Sequence, residues 1–491
     1  MTFFSFLPLI VLLGGSAALA QEPQRAQAPD YYPELKRHFS SLLGINTAQP
    51  RGNELEAARY LYGVLDDERI DWEIYESTPG RAALAAFLRA PKNTGGKPLL
   101  LLSHLDTVGA DAEQWQTPPF TPVEKNGEIY ARGASDCKDL TAINLMTLVA
   151  LKRSGAELSR DVIMLATPDE EAGSGYGLAW LLETRWKGKP PGGYALNEGG
   201  GVITDEAGKP LLVFVETAGK MYLDLRLTAE GTAGHSALPP RSNSIYSLAA
   251  ALAAVERLKL PVRVTPTAEK FFRSIYAIQG ADGRTTFDLF FSGDSRKAAA
   301  AAETIAYDPF FNAQLRDTVT PTVVRAGQDN NAVPAQAWAL LNCRLLYDSG
   351  VDDFVEQIRK TVAPYGVTVS VVESPRLPFP AAMTQDDELY RAITAVAGTQ
   401  MPGVAVAGGM IPGTTDSEFL RRAGVIAYGL GAPKSYGELD EAHAPDEKIR
   451  LDSLYRYFDF VYGVAREFAV VSTQPAKPVS GAVKPAGQPS R

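Results

Sequence analysis

Histidine is scarce in this sequence of 491 residues: His38, His104, His235 and His443 are the whole complement. An imidazole beside carboxylates is both a metal-ligand set and an acid–base set, so each neighbourhood is informative. His104 stands in Ser103-His104-Leu105-Asp106-Thr107, directly after the apolar run Leu99 to Leu102. At a strand end, residues i and i+2 project to one side. The Asp106 carboxylate therefore neighbours the His104 ring, fixes its tautomer and raises its basicity toward a metal. Asp136 lies in Arg132-Gly133-Ala134-Ser135-Asp136-Cys137-Lys138-Asp139, a turn of small residues that lets the backbone approach an ion. Glu170 and Glu171 follow Val162 to Ala166 in Pro168-Asp169-Glu170-Glu171-Ala172-Gly173. Adjacent carboxylates repel unless they are solvated or share a cation, and their divergent directions let one ligate while the other faces a water as base. Glu198 comes after Tyr194 to Leu196, and His443 after Val425 to Leu430. Five potential ligands, His104, Asp136, Glu171, Glu198 and His443, thus lie beyond successive predicted strands. Two imidazoles and three carboxylates suit two zinc-like ions bridged by a carboxylate.

The elements that must position them alternate. From about residue 30 to 218, short apolar runs read as buried strands and the stretches Thr141 to Ser154 and Gly177 to Glu183 as helices, the pattern of an α/β domain with a mainly parallel sheet. Ligands in such sheets bind beyond the carboxyl ends of the strands, where these polar clusters fall. After about residue 219 the pattern changes. Met221 to Thr228 alternates Leu223, Leu225, Leu227 with Asp224, Arg226, Thr228, the mark of a half-buried antiparallel strand. A helix at 242–257, a strand Trp338 to Leu345, a helix near 352–363 and a strand Val367 to Val372 complete a small α+β sandwich over 219–380. Residues 261–320 interrupt it without a readable structure. The α/β style returns over 381–470, so the second domain is inserted into the first.

Net charge is 48 − 57 = −9 with no long basic run, which argues against nucleic-acid binding. The two cysteines, Cys137 and Cys343, are too few and too far apart for a disulfide framework or a thiolate zinc site. Residues 1–20 are apolar and end in Ala18-Leu19-Ala20, which reads as a signal peptide cleaved after Ala20, although no Lys or Arg precedes its apolar core. An uncleaved anchor is the alternative; cleavage implies a periplasmic or secreted protein with no stable membrane span. The tail 471–491 is rich in Pro, Gly and Ser and reads as disordered. No Gly-x-Ser-x-Gly elbow appears, which leaves a serine hydrolase without support. His38 carries no motif and reads as a surface residue.

In ordered succession, His104-Leu-Asp-Thr-Val108, Arg132-Gly-Ala-Ser-Asp-Cys-Lys-Asp139, Pro168-Asp-Glu-Glu-Ala-Gly-Ser174, Asn197-Glu-Gly-Gly200, Gly234-His-Ser-Ala-Leu-Pro-Pro240, Asn331-Ala-Val-Pro334, Gly413-Thr-Thr-Asp-Ser-Glu-Phe419 and Glu441-Ala-His-Ala-Pro-Asp-Glu447 resemble the M20 metallopeptidases from about residue 30 to 470. These are the group of acetylornithine deacetylase, aminoacylase-1 and carboxypeptidase G. The Asn-Glu-Gly-Gly and Gly-His-Ser segments are similar to the branch of carboxypeptidase S and the N-acyl-amino-acid hydrolase/synthases. The resemblance implies a zinc-peptidase catalytic domain with an inserted lid and dimerisation domain, two divalent ions (Zn, with Co or Mn as alternatives) and a homodimer. It makes Asp136 the bridging ligand, His104 and Glu198 the holders of one ion, and Glu171 and His443 those of the other. Asp106 would orient His104, and Glu170 would be the general base. His235 would reach a neighbouring subunit's site and polarise the scissile carbonyl. Asn331, Arg344, Gly413 and Thr414 would line the substrate, with Arg344 the partner of a carboxylate. The expected reaction is hydrolysis of an amide in N-acyl amino acids or short peptides, releasing an amino acid with a free carboxylate. Aminopeptidase or dipeptidase action is the alternative, and a non-catalytic binding protein of the same fold a further one. Two positions depart from the family: Asp139 stands where Gly is common, and Cys137 where a polar residue is common. Cys137 reads as a packed small residue; a reactive thiol with a pKa lowered by a cationic site is the alternative.

Overall fold

The structure is a computed structural model that describes residues 30–91, 95–374, 379–438 and 442–471. The expected signal peptide, most of the expected tail, and Asp440-Glu441 lie outside the described residues. A ten-stranded sheet organises the larger part of the chain. Its centre is four parallel neighbours: Val162–Thr167, Leu99–His104, Tyr194–Asn197 and Ile426–Gly429. Their residues are apolar almost without interruption because both faces are covered. The helices Tyr32–Leu43, Lys138–Ser154, Glu388–Gln400 and Leu451–Ala469 share one apolar cluster against one face, and Leu178, Leu181 and Leu420 pack on the other. The Lys138–Ser154 helix is buried along nearly its whole length, and Gly155 in the left-handed region ends it.

The inserted element is a four-stranded antiparallel sheet, in the order Thr318–Ala326, Gln336–Leu345, Met221–Glu230, Val367–Glu373. The alternating residues Leu223, Leu225, Leu227, Ala339 and Leu341 turn inward against the helices Ser244–Glu256 and Val351–Val362. The opposite face carries Tyr222, Asp224, Arg226, Asn342 and Arg344, partly exposed.

The segment whose structure is unreadable from the sequence forms four helices: Pro266–Ile275, Ala281–Phe290, Ser295–Ile305 and Pro309–Leu315. Thr265, Asp294 and Asp308 cap three of them by accepting backbone N–H groups, and Pro266 and Pro309 sit in the first turns. Their apolar residues do not join the small sandwich. Phe271, Phe272, Phe287 and Ile305 cluster with Leu212, Phe214 and Ala407 of the ten-stranded sheet. Phe214, Phe271, Phe310 and Phe311 meet edge to face at centroid distances of 5.5–6.1 Å.

His38 departs from the expected surface position. It faces the core side of its helix at 4% exposure, with Nδ1 2.7 Å from the Tyr60 hydroxyl. The helical stripe Leu35, His38, Phe39, Leu42 carries it inward, and the phenol satisfies its ring.

Candidate metal centre

Five side chains converge where the central strands end. His104, the last residue of its strand, sets Nε2 2.9 Å from Asp136 Oδ1 and 3.5 Å from Glu198 Oε2. His443 sets Nε2 3.1 Å from Glu171 Oε1 and 3.2 Å from Asp136 Oδ2. The two carboxylate oxygens of Asp136 thus face the two imidazoles. His104, Asp136, Cys137 and Glu198 form one group whose donor atoms all lie within 4.8 Å of one another, and Asp136, Glu171 and His443 form a second. His443 follows a short strand, Pro433–Ser435, that the sequence pattern does not reveal.

Each ligand candidate is held by neighbours. His104 Nδ1 lies 2.9 Å from the Asp106 main-chain oxygen, which places the ring proton there and leaves the Nε2 lone pair toward Asp136. The wholly buried Asp106 carboxylate is 3.6 Å from that nitrogen. Its shorter bonds come from the N–H groups of Glu170 (3.1 Å) and Glu171 (3.2 Å) and from the Gln49 amide (2.8 Å). Asp106 therefore clamps the acidic pair as well as standing by the histidine. Three supports carry no role in the sequence pattern. Glu447 accepts from the N–H groups of Gly133 (3.0 Å) and Ser135 (2.7 Å) and binds Arg132 Nη1 (2.7 Å), fixing the turn that presents Asp136. Arg132 Nη2 reaches the His443 carbonyl at 3.1 Å. Arg81 pairs with Asp169 (2.7 Å) and Glu54 (2.9 Å), and so holds the turn before Glu170. Glu447 belongs to a quoted motif, and that is its only sequence signal; Arg81 has none.

The sequence profile of the peptidase family M20/M25/M40 matches residues 100–467, well over half of the chain. The chain belongs to this family. It is 27% identical over 367 residues to the N-fatty-acyl-amino acid synthase/hydrolase PM20D1 of Xenopus tropicalis, covering 73% of this chain and 70% of the relative. The human PM20D1 is 26% identical over 384 residues, covering 74% and 73%. Among solved structures, the M20 family metallo-carboxypeptidase Sso-CP2 of Sulfolobus solfataricus has a TM-score of 0.67 at 21% identity, covering 89% of this chain and 99% of that one. The Bacillus subtilis YXEP protein, described as a dinuclear metal binding peptidase from the M20 family, has a TM-score of 0.56 at 14% identity, covering 89% and 97%. This chain is an M20 hydrolase with that mixed α/β fold.

The electrostatics of this M20 centre fit cations. Burial opposes charge on His104, yet Cys137, Glu198, Asp106 and Asp136 hold its pKa well above the ordinary value. Hydrogen bonds to Asp136 and Glu171 push His443 up to about 10. Burial, with Glu198 beside it, pushes Glu170 well above the carboxylate range, and burial takes Asp416, bonded to Ser174, to about 7. Carboxylates crowded this closely around two imidazoles leave an excess of negative charge that divalent cations neutralise. Cys137 is packed as expected, at 2% exposure; its Sγ accepts the His104 N–H at 3.3 Å, and burial drives the thiol well above its usual value rather than below it.

The remaining candidates lie elsewhere. His235 pairs with Ala332 in a two-stranded ribbon, and the Asn331 carbonyl accepts the Ser236 N–H at 2.9 Å. Both His235 and Asn331 are exposed, and among the described residues no hydrogen bond or ion pair joins them to the metal centre. The Ala237 N–H donates to His235 Nδ1 at 3.1 Å, so the neutral ring carries its proton on Nε2. Arg344 stacks over the Tyr222 ring at 4.5 Å, with Nε 3.1 Å from Asn342 Oδ1. The Gly413 carbonyl accepts the Lys220 N–H at 2.9 Å, and Thr414 packs on Gly219, so this loop meets the chain where it enters the inserted domain.

Proposed function

We propose that this chain hydrolyses the amide bond of N-acyl amino acids with two divalent ions, of which zinc suits the donor set best. The observation that carries the reading is Asp136, one oxygen toward His104 and Glu198 and the other toward His443 and Glu171. His104 and Glu198 would hold one ion, Glu171 and His443 the other, with Asp136 common to both. Bound there, the ions supply Lewis-acid polarisation of the carbonyl and a lowered pKa for the attacking water.

The chain's own groups do the proton work. Glu170 takes a proton from the water as its oxygen bonds to the carbonyl carbon, and delivers it to the leaving nitrogen as the C–N bond breaks. The water oxygen ends in the released carboxylate, and the amine leaves with the amino acid. Asp106 keeps the Glu170 backbone in place through its N–H bond. His235, donating from Nε2, would polarise the carbonyl from a neighbouring subunit of a homodimer. Arg344, together with Asn331, Gly413 and Thr414, would receive the substrate carboxylate. The PM20D1 relatives, N-fatty-acyl-amino acid synthase/hydrolases by name, favour acyl amino acids over peptides as substrates. Residues 1–20 would direct the protein to a periplasmic or secreted location.

The test is metal analysis with single-turnover hydrolysis of N-acyl amino acids on Glu170→Gln. We expect near-normal metal content and turnover lowered at least ~10³-fold. Full turnover in a metal-loaded variant refutes the role of Glu170, and chelator-insensitive turnover of the wild type refutes the metal reading.

A further inference from the structure

Arg344 stands on the open face of the inserted sheet with three neighbours that hold one another. The antiparallel pairing sets Tyr222 opposite Arg344 and Asp224 opposite Asn342. Alternate residues of a strand share a face, so the four side chains form a single cluster. Asn342 is its middle member: its Oδ1 accepts the Arg344 Nε–H at 3.1 Å, and its Nδ2 donates to Asp224 Oδ1 at 2.9 Å. Only this orientation of the amide works, because a guanidinium offers donors alone and a carboxylate acceptors alone. Tyr222 closes the ring. Its hydroxyl donates to Asp224 Oδ2 at 2.8 Å, and its aromatic face carries the Arg344 guanidinium at 4.5 Å. Burial, with the bond to Asp224, pushes the phenol up to about 12, so it remains a donor.

The stack and the Nε bond fix the plane and one edge of the guanidinium, and leave Nη1 and Nη2 without a hydrogen bond or ion pair among the described residues. Asp224 acts on Arg344 electrostatically but makes no ion pair with it among the described residues. A carboxylate this near would otherwise take the fork as a bidentate partner. The amide stands between them, and each Asp224 oxygen is given to a neutral donor instead. We propose that Asn342 sets the enzyme's preference for a free α-carboxylate: by separating Asp224 from Arg344 it keeps the Arg344 fork aimed and unclaimed for the substrate. Asn342 acts through Arg344 and is a positioning residue. The inference rests on the hydrolase reading above and adds the device that keeps its carboxylate partner available.

The experiment compares N-octanoylalanine with its uncharged α-amide, N-octanoylalaninamide, on zinc-loaded wild type, Asn342→Asp and Asn342→Leu. Asn342→Asp keeps the shape and sets a carboxylate directly on Arg344; Asn342→Leu removes the spacer and frees Arg344 to turn to Asp224. Each should raise KM for the acid ~10-fold, with kcat within ~2-fold of wild type and both constants for the amide unchanged. Adding Asp224→Asn to Asn342→Leu removes the competing charge and should bring the acid-to-amide ratio of kcat/KM back to within ~3-fold of wild type. A merely structural role would harm acid and amide alike and would gain nothing from the second substitution. The same changes made in Glu170→Gln are read by calorimetry, as binding of acid and amide without turnover. An acid-to-amide ratio unchanged in both single variants, or lost equally for the two compounds, or not rescued by Asp224→Asn, overturns the role of Asn342 and leaves the hydrolase reading standing. Acid binding that the single variants weaken selectively, with neither compound cleaved by the wild type, upholds the role of Asn342 and overturns the hydrolase reading.

Discussion

In the proposed reaction the metal centre and the His235 ribbon would carry two halves of the same chemistry, yet they are built in opposite ways. At the centre, His104 and Asp106 are buried, and each touches two or more partners drawn from distant parts of the chain. In the ribbon, His235 lies on one of a pair of two-residue strands and Asn331 just before the other; both are exposed, and their hydrogen bonds among the described residues come from nearby main-chain groups. One half is preorganised within a single chain. The other would act only across a second surface, as the proposed homodimer supplies. Ligands to cations must be assembled in advance because like charges have to be held together, whereas a single donor to an oxyanion needs only a tautomer and a position.

If the centre is the preorganised half, removing its shared member should collapse it. Asp136→Ala is expected to lower bound metal from about two ions to fewer than one and activity by ~10⁴-fold, read by elemental analysis and kcat/KM. Retention of both ions would break the comparison at its stronger side. His235→Ala should cost ~10²–10³-fold in kcat with metal content unchanged. Mixing it with Glu170→Gln should restore part of the activity if the ribbon acts across a dimer. Failure of mixed, subunit-exchanged samples to regain any activity would place the ribbon's action within its own chain.

Much of the centre was legible because strand ends and acidic–imidazole spacing are local signals: His104, Asp136, Glu171 and Glu198 each follow a turn or strand visible in the sequence, while the strand nearest before His443 is hidden. The supports were hidden because they are long-range. Arg81 meets Asp169 across 88 positions and Glu447 meets Arg132 across 315, and nothing near either residue announces its partner. The four parallel strands at the centre of the larger sheet and three of the four strands of the smaller one are readable from runs and alternation; Thr318–Ala326 and the outer strands of the larger sheet are not. The four helices of 266–315 are not read, although Ala268, Phe271, Phe272 and Ile275 stand at helical spacing and Thr265-Pro266 and Asp308-Pro309 are start signals; the alanine run 298–302 hides the period of Ser295–Ile305. Their docking on the larger sheet was beyond any local reading. His38 reads as surface because a lone polar residue on an amphipathic helix says little about a phenol 22 positions away.

Glu447 tests how far the preorganisation extends beyond the ligands themselves. Glu447→Gln keeps the size of the side chain but loses the charge that pairs with Arg132, loosening both the Asp136 turn and, through Arg132, the His443 carbonyl. Metal affinity should fall ~10–100-fold in competition with a chelator, with kcat at saturating metal close to wild type. Unchanged affinity would confine the built half to its ligands.

The smallest effect comes from the centre's own exception. Asp139 is 3% exposed, its Oδ1 has no hydrogen-bond partner among the described residues, and burial raises its pKa from 3.8 to about 7. A carboxyl whose folded pKa is raised binds its proton more tightly in the folded state, so stability is lost as pH climbs from the unfolded value through about 7. Asp139→Asn removes the ionisable group and should be more stable than the wild type by roughly 1–3 kcal/mol at pH 8, the two converging by about pH 4 in denaturant titrations. A gap that persists at pH 4, or an Asn variant less stable at pH 8, would mean that Asp139 is paired as fully as its neighbours and that the centre has no such exception.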